Sequence, residues 1–188
     1  RSLVGSEMCI RDRLWGVDVL ARGSGRTGGT NVSRSVGLAP ALLTGALDIG
    51  KRAAAVWLAG RISSQPSLEV LAGAAAILGH NYSIFLRFRG GAGVATSLGA
   101  LGAIYLPAAI GLVILLLALV AITRYASLGS LIVITLMPIL LLILGIAGIS
   151  ALTYTLYGLL AWILVVYAHR PNIRRLLAGT ERRIGEKG

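Results

Sequence analysis

The chain has 188 residues, of which 56% are apolar and only 13% charged, and its mean hydropathy is +0.82. Soluble domains carry roughly 25% charged residues, so a water-soluble globule is excluded and an integral membrane protein is implied. The net charge of +11 then reads as cytoplasmic loops beside anionic lipid headgroups rather than a nucleic-acid surface, and the single cysteine, Cys9, excludes an intrachain disulfide and a cysteine metal cluster.

Residues 1–13, RSLVGSEMCIRDR, are too short and too charged to span a bilayer and lack the apolar run of a signal peptide. The string resembles translated sequencing-adapter read-through, which predicts a non-native stretch in front of a segment whose own start is missing. A single membrane domain is expected over 14–181, with 182–188 a basic cytoplasmic tail.

Residues 23–34, GSGRTGGTNVSR, form a glycine-rich polar loop. Gly23, Gly25 and Gly28 match G-x-G-x-x-G, but a dinucleotide fold needs a preceding strand and a soluble sheet, and an apolar segment follows instead. The chemistry stands without that fold. Glycine N–H groups, the hydroxyls of Ser24 and Thr30, the Asn31 amide and the Arg34 guanidinium can together hold an anion.

Six apolar segments follow, at about 38–60, 68–86, 93–106, 107–123, 128–147 and 151–168. In the first, Asp48 and Lys51 stand three apart on one helical face with Arg52 beside them, and an Asp48–Lys51 ion pair facing the bundle interior is expected. The third segment is short: at about 1.5 Å per residue it reaches about 21 Å, against a hydrocarbon core of roughly 30 Å. Residues 93–123 are therefore either one long tilted helix or two helices broken near Pro107. Loop charge separates the two. With a reversal at Pro107, twelve Lys and Arg fall on one face, in 14–37, 87–92, 124–127 and the tail after 168, against Arg61 alone on the other. With a single helix the division is five against eight. The cytoplasmic bias of Lys and Arg selects two helices and places those four segments in the cytoplasm. The fold expected is an all-α, polytopic membrane bundle with its polar motifs at one face.

Between the second and third segments, Arg87-Phe-Arg89 precedes Gly90, Gly91, Ala92 and Gly93. Such a loop can bend tightly and aim N–H groups at a phosphate, although arginines at a membrane surface also serve as topology anchors. Ser127, in the Arg124–Ser130 stretch, is placed to cap the next helix, whose first N–H groups would equally suit a phosphate. In the tail, Arg170, Arg174 and Arg175 suit lipid headgroups, whereas His169 and Asn172 can hydrogen-bond a substrate hydroxyl, and a histidine can move its proton.

In that order, GSGRTGGTN..R, GH....F..F.GG.GVAT, R..SLGS and HR.NI.RLL.GTE resemble the motif blocks of the bacterial acyl-phosphate:glycerol-3-phosphate acyltransferases of the PlsY type, from about Trp15 to Glu181. The resemblance implies a seven-helix enzyme of the bacterial cytoplasmic (inner) membrane, six helices of which are visible here, with its site facing the cytoplasm. It implies transfer of a fatty acyl group from acyl phosphate to the 1-hydroxyl of sn-glycerol 3-phosphate, giving lysophosphatidate and phosphate in phospholipid biosynthesis. Membrane lipids are the surroundings, and no cofactor, metal or nucleic acid is implied. Carried over by position, Ser24, Gly25, Thr30, Asn31 and Arg34 lie against the substrates, Arg124, Ser127 and Ser130 bind phosphate, and His169 and Asn172 approach the glycerol. Ser24, His169 and Asn172 are the catalytic candidates, and Gly90, Gly91 and Gly93 form a further substrate loop.

Three positions depart from the family's pattern. Ala92 stands where the glycine loop has lysine, Arg26 where the first block has asparagine, and Gly29 where it has alanine. Losing a charge-assisted hydrogen bond to phosphate costs about 1.5–3 kcal/mol, roughly ten- to a hundredfold in binding. Arg26 is expected to bind substrate and supply the cation that Ala92 does not. Two other classes fit part of the pattern: a non-catalytic membrane protein that binds phosphate-bearing lipid, and a small-solute transporter, whose polar residues should lie nearer the membrane midplane.

Overall fold

A computed structural model describes residues 16, 21, 27–84, 88 and 90–184, with the backbone alone at Thr30 and Arg34. Among the described residues there are eight helices and no strand. The first, α1 (Gly29–Ser35), makes a short helix of what the sequence presents as the second half of a polar loop. Val32 anchors it: fully buried, it packs with Ala41 and Val36. Gly37, at φ 122°, then turns the chain into α2.

The six apolar segments become six helices: α2 (Leu38–Ile62), α3 (Pro66–Asn81), α4 (Val94–Ile104), α5 (Leu106–Thr123), α6 (Ala126–Ile146) and α7 (Tyr154–Ala168). A basic helix, α8 (Arg170–Leu177), follows at once. The break expected near Pro107 falls at Tyr105, whose extended backbone (φ −153°, ψ 94°) separates α4 from α5. Pro107 sits in the first turn of α5, where its missing N–H has no intrahelical acceptor to satisfy.

Contacts between helices fix which ends meet. The Tyr154 hydroxyl donates to Glu69 and Tyr157 lies against Gly73, so α3 and α7 run the same way. Gly158 packs on Pro138 and Gly145 on Leu152, so α6 runs opposite to α7. Gly60 lies against Glu69, so α2 runs opposite to α3. The C-terminal ends of α3 and α7 and the N-terminal ends of α2 and α6 therefore share one end of the bundle. Tyr157, fully buried, donates to the Ser97 carbonyl at 2.7 Å and ties α4 into the same core, with Ile77, Leu101, Met137 and Leu141 around it.

The outer surface is apolar: Leu42, Trp57, Ile114, Leu117, Ile143 and Ile163 are all exposed. Such a belt suits hydrocarbon rather than water. Of the helices, α5 and α6 are long and apolar enough by themselves to cross a bilayer.

The charges within α2 face the interior as expected but differ in partner. Asp48 pairs not with Lys51 but with Arg52, one full turn on, at 2.6 Å. Arg52 in turn reaches His80, in the last turn of α3, at 2.8 Å. At 1.5 Å per residue α2 is about 37 Å long and α3 about 24 Å, so α2 overhangs α3 and its middle stands level with α3's end. Asp48 and Arg52 thus lie at the polar end of the bundle, not at its midplane.

Candidate active site

The glycine loop is built on the end of α3. The carbonyls of Asn81 and His80 accept the N–H groups of Gly90 and Gly91 at 3.1 and 3.2 Å. A Cβ at position 90 would collide with the His80 carbonyl, and one at 91 with the His80 imidazole. Glycine is needed here because the backbone passes directly over α3, and these two N–H groups are spent on that helix. Gly93, at φ 87°, opens α4, where the backbone N–H and hydroxyl of Ser97 both return to its carbonyl at 2.8 Å. The Asn81 amide lies against Gly93 and the Thr96 hydroxyl follows in the first turn of α4; both are buried with no hydrogen-bond partner among the described residues. A Gly90→Ala change must lift the loop off α3. A displacement of about 1 Å costs up to about a hundredfold in rate, so a tenfold to hundredfold fall in kcat/KM is expected in a steady-state assay, with little effect on membrane insertion.

The second part of the site is organised by a carboxylate. Glu181 is buried, and its Oε1 accepts from the Ser127 hydroxyl at 2.8 Å and from Asn172 Nδ2 at 2.9 Å. Its Oε2 accepts from Arg175 Nε at 2.7 Å. Burial pushes the carboxyl up, but the bonds from Asn172, Arg175 and Ser127, with the Arg175 charge, outweigh it and hold the group below its ordinary value. The chain beyond is strapped across the α5–α6 turn. Arg124 donates to the Ile184 carbonyl and accepts the Ile184 N–H, each at 2.8 Å, and Arg183 donates to the Tyr125 hydroxyl at 3.0 Å. Arg124 caps α5 in the left-handed region, at φ 62°, a conformation uncommon outside glycine.

His169 joins α7 to α8 and is buried. Its Nδ1 lies 2.9 Å from the Val165 carbonyl, which can only accept. Nδ1 therefore carries the proton in the neutral ring, and Nε2 holds the lone pair.

The structure brings His169, Asn172, Ser127, Arg124, Gly90, Gly91 and Gly93 to one end of the bundle, with Ser130 half-buried in the first turns of α6. Asn31, buried in α1, lies at the same end. Thr30 and Arg34 are carried on α1, their side chains outside the described residues, as are Ser24, Gly25 and Arg26 and the two loop arginines, Arg87 and Arg89. Two sequence readings change. Ser127 does not cap α6, whose cap residue is Tyr125; it donates to Glu181 instead. Arg175 is engaged by Glu181 rather than standing among headgroup anchors. Glu181 closes the last motif block, but a carboxylate does not stand out in a sequence whose implied substrates are themselves anions. No pattern in the sequence signals its role, because Ser127 stands 54 positions from Glu181 and reaches it only in the fold.

A family model described as glycerol-3-phosphate acyltransferase matches residues 4–179. The chain belongs to that family. It is 43% identical to the glycerol-3-phosphate acyltransferase of Synechococcus sp. (strain CC9902), over 93% of this chain and 86% of the relative. It is 42% identical to glycerol-3-phosphate acyltransferase 1 of Deinococcus radiodurans, with the same two coverages. The crystal structure of PlsY (YgiH), an integral membrane glycerol 3-phosphate acyltransferase, in its glycerol 3-phosphate form matches the fold with a TM-score of 0.85 at 33% identity, over 95% of this chain and 88% of that one. The lysophosphatidic acid form of that protein gives 0.83. These matches place an all-helical membrane acyltransferase family, rather than a transporter, behind the fold.

Proposed function

We propose that this chain transfers a fatty acyl group from acyl phosphate to the 1-hydroxyl of glycerol 3-phosphate, on the cytoplasmic face of a bacterial inner membrane. The glycerol oxygen attacks the acyl carbonyl, the C–O bond to phosphate breaks, and the proton leaves the attacking hydroxyl. The observation that carries this reading is the His169 ring, whose Nδ1–H is held by Val165 so that Nε2 is the atom able to take that proton. Asn172, fixed through its Nδ2 on Glu181, has its carbonyl oxygen for the glycerol hydroxyl.

Both substrates are phosphate anions and the leaving group is phosphate, so cations and N–H donors stabilise the charge that develops. The motif blocks assign Arg34 and Arg26, with Ser24, Gly25, Thr30 and Asn31, to that anion site. Arg124 and Ser130 are assigned to it likewise, whereas Ser127, whose one hydroxyl proton goes to Glu181, steadies Asn172 through that carboxylate; the Gly90–Gly93 loop lies between α3 and α4. An acyl phosphate is already activated, so no metal is required.

The test is conversion of labelled glycerol 3-phosphate to lysophosphatidate by membranes containing the full chain. Product is expected only with acyl phosphate as donor, and Arg34→Ala is expected to lower kcat/KM at least tenfold. If inserted protein forms no product while Ala92→Lys restores it, the fold assignment stands but the native chain is a binder of phosphate-bearing lipid or a decayed enzyme.

A further inference from the structure

Three charged or ionisable side chains outside the motif cations are linked behind the glycine loop. Asp48 Oδ1 accepts from Arg52 Nη1 at 2.6 Å, and the same nitrogen donates to the Asp48 carbonyl at 3.1 Å. Arg52 Nη2 lies 2.8 Å from His80 Nδ1, and Asp48 Oδ1 lies 3.8 Å from that same ring nitrogen. All three side chains are nearly enclosed, at 9%, 14% and 8% exposure for Asp48, Arg52 and His80.

A guanidinium has donors and no acceptor, so His80 Nδ1 must be the acceptor of this bond. The ring is therefore neutral, with its proton on Nε2, and a second proton on Nδ1 would face the Arg52 N–H. The Nε2 edge of this fixed ring packs on Gly91, where a Cβ would collide with it, while the His80 carbonyl holds the Gly91 N–H. Pose and tautomer of His80 are set from α2, and the loop is seated on His80. A positive side chain cannot do this from position 92, which is alanine.

We propose that Arg52, braced by Asp48, is a positioning residue that acts through His80 to seat the Gly90–Gly93 loop for substrate phosphate. This rests on the acyltransferase reading above, with Gly90, Gly91 and Gly93 as the further substrate loop that the motif blocks imply. The role is in binding geometry, so its signature is in KM rather than kcat.

The experiment is a double-mutant cycle in the full chain. Arg52→Met leaves Asp48 enclosed without its partner, so it is made together with Asp48→Asn, which removes both charges at once. His80→Asn keeps an acceptor near Nδ1 but withdraws the ring from Gly91. Each of the two changes is expected to raise KM for glycerol 3-phosphate about tenfold with kcat within about twofold, and the combination is expected to be no worse than either alone. Multiplying effects, near a hundredfold in combination, would show that Arg52 does not act through His80. A lower melting temperature with KM unchanged would show a merely structural ion pair. Turnover by the native chain is read first. Its absence would sink the acyltransferase reading, and the relay is then judged by the melting-temperature rise that glycerol 3-phosphate induces: loss of the rise in the variants supports it and an unchanged rise overturns it.

Discussion

Replacing His169 by alanine is expected to lower kcat by about 10²- to 10⁴-fold, the range supplied by a positioned acid–base group, with a smaller change in KM for glycerol 3-phosphate. The argument runs from the backbone outward. His169 receives its position from the end of α7, where its N–H bonds to the carbonyls of Val165 and Val166 at 2.9 and 3.0 Å. Its ring is then locked by the Val165 carbonyl, so the imidazole cannot turn its lone pair away without losing a buried bond. A His169→Gln variant separates two roles. Glutamine can hydrogen-bond a glycerol hydroxyl but cannot take up its proton. If Gln stays within about tenfold of the native enzyme while Ala does not, His169 orients the nucleophile and the proton passes to a substrate phosphate. If both fall together, and the acid limb of the pH–rate profile disappears with the ring, His169 is the acceptor.

The helical architecture was legible because its causes are local. Apolar runs, Pro107 and the loop-charge division located six helices and the break that the structure puts at Tyr105. The second apolar segment runs to 86 in the sequence, yet α3 stops at Asn81, where the carbonyls of His80 and Asn81 accept from Gly91 and Gly90. That pairing comes from the folded loop and leaves no periodic trace. The Asp48 partner was missed for a similar reason. Positions three and four residues on both share a helical face with Asp48, and the choice of Arg52 is made by His80, 28 residues away, which holds the other end of the guanidinium. The motif candidates that meet at Glu181 were identified as residues but not as a group. Ser127 is 54 positions from Glu181 and Asn172 is nine, so their meeting is a property of how α6, α7 and α8 pack.

The glycine loop shows how one motif can divide its tasks. Gly90 and Gly91 spend their N–H groups on α3 and exist to let two backbones touch, whereas Gly93 supplies the left-handed turn that starts α4. A phosphate held near this loop is consequently met by groups other than the first two glycine amides. The loop's rigidity depends on α3, and through His80 on α2.

Glu181→Leu is expected to cost about 10²- to 10³-fold in kcat/KM and about 3 kcal/mol of stability. Leucine fills the space but leaves the Ser127 hydroxyl and the Asn172 amide without their acceptor, each worth about 1–3 kcal/mol when enclosed. The Arg175 charge adds less, because its side chain is 40% exposed and water can take over. The loss of rate follows from Asn172, which would no longer be held toward the glycerol. Glu181→Gln is expected to be milder, about tenfold, because its carbonyl still accepts from Ser127 and Asn172 while its amide opposes Arg175 Nε. The same pair of variants tests the electrostatics. Since the folded carboxyl titrates below its ordinary value, it adds stability that is complete well above about pH 4.3, the value in an unfolded chain. That stability drains away as pH falls through the lower, folded value. Melting temperature should therefore decline more steeply between about pH 5 and pH 3 in the native protein than in Glu181→Gln. Parallel declines would mean that Glu181 bonds its partners equally well when protonated, and that its charge contributes nothing to holding Ser127 and Asn172 together.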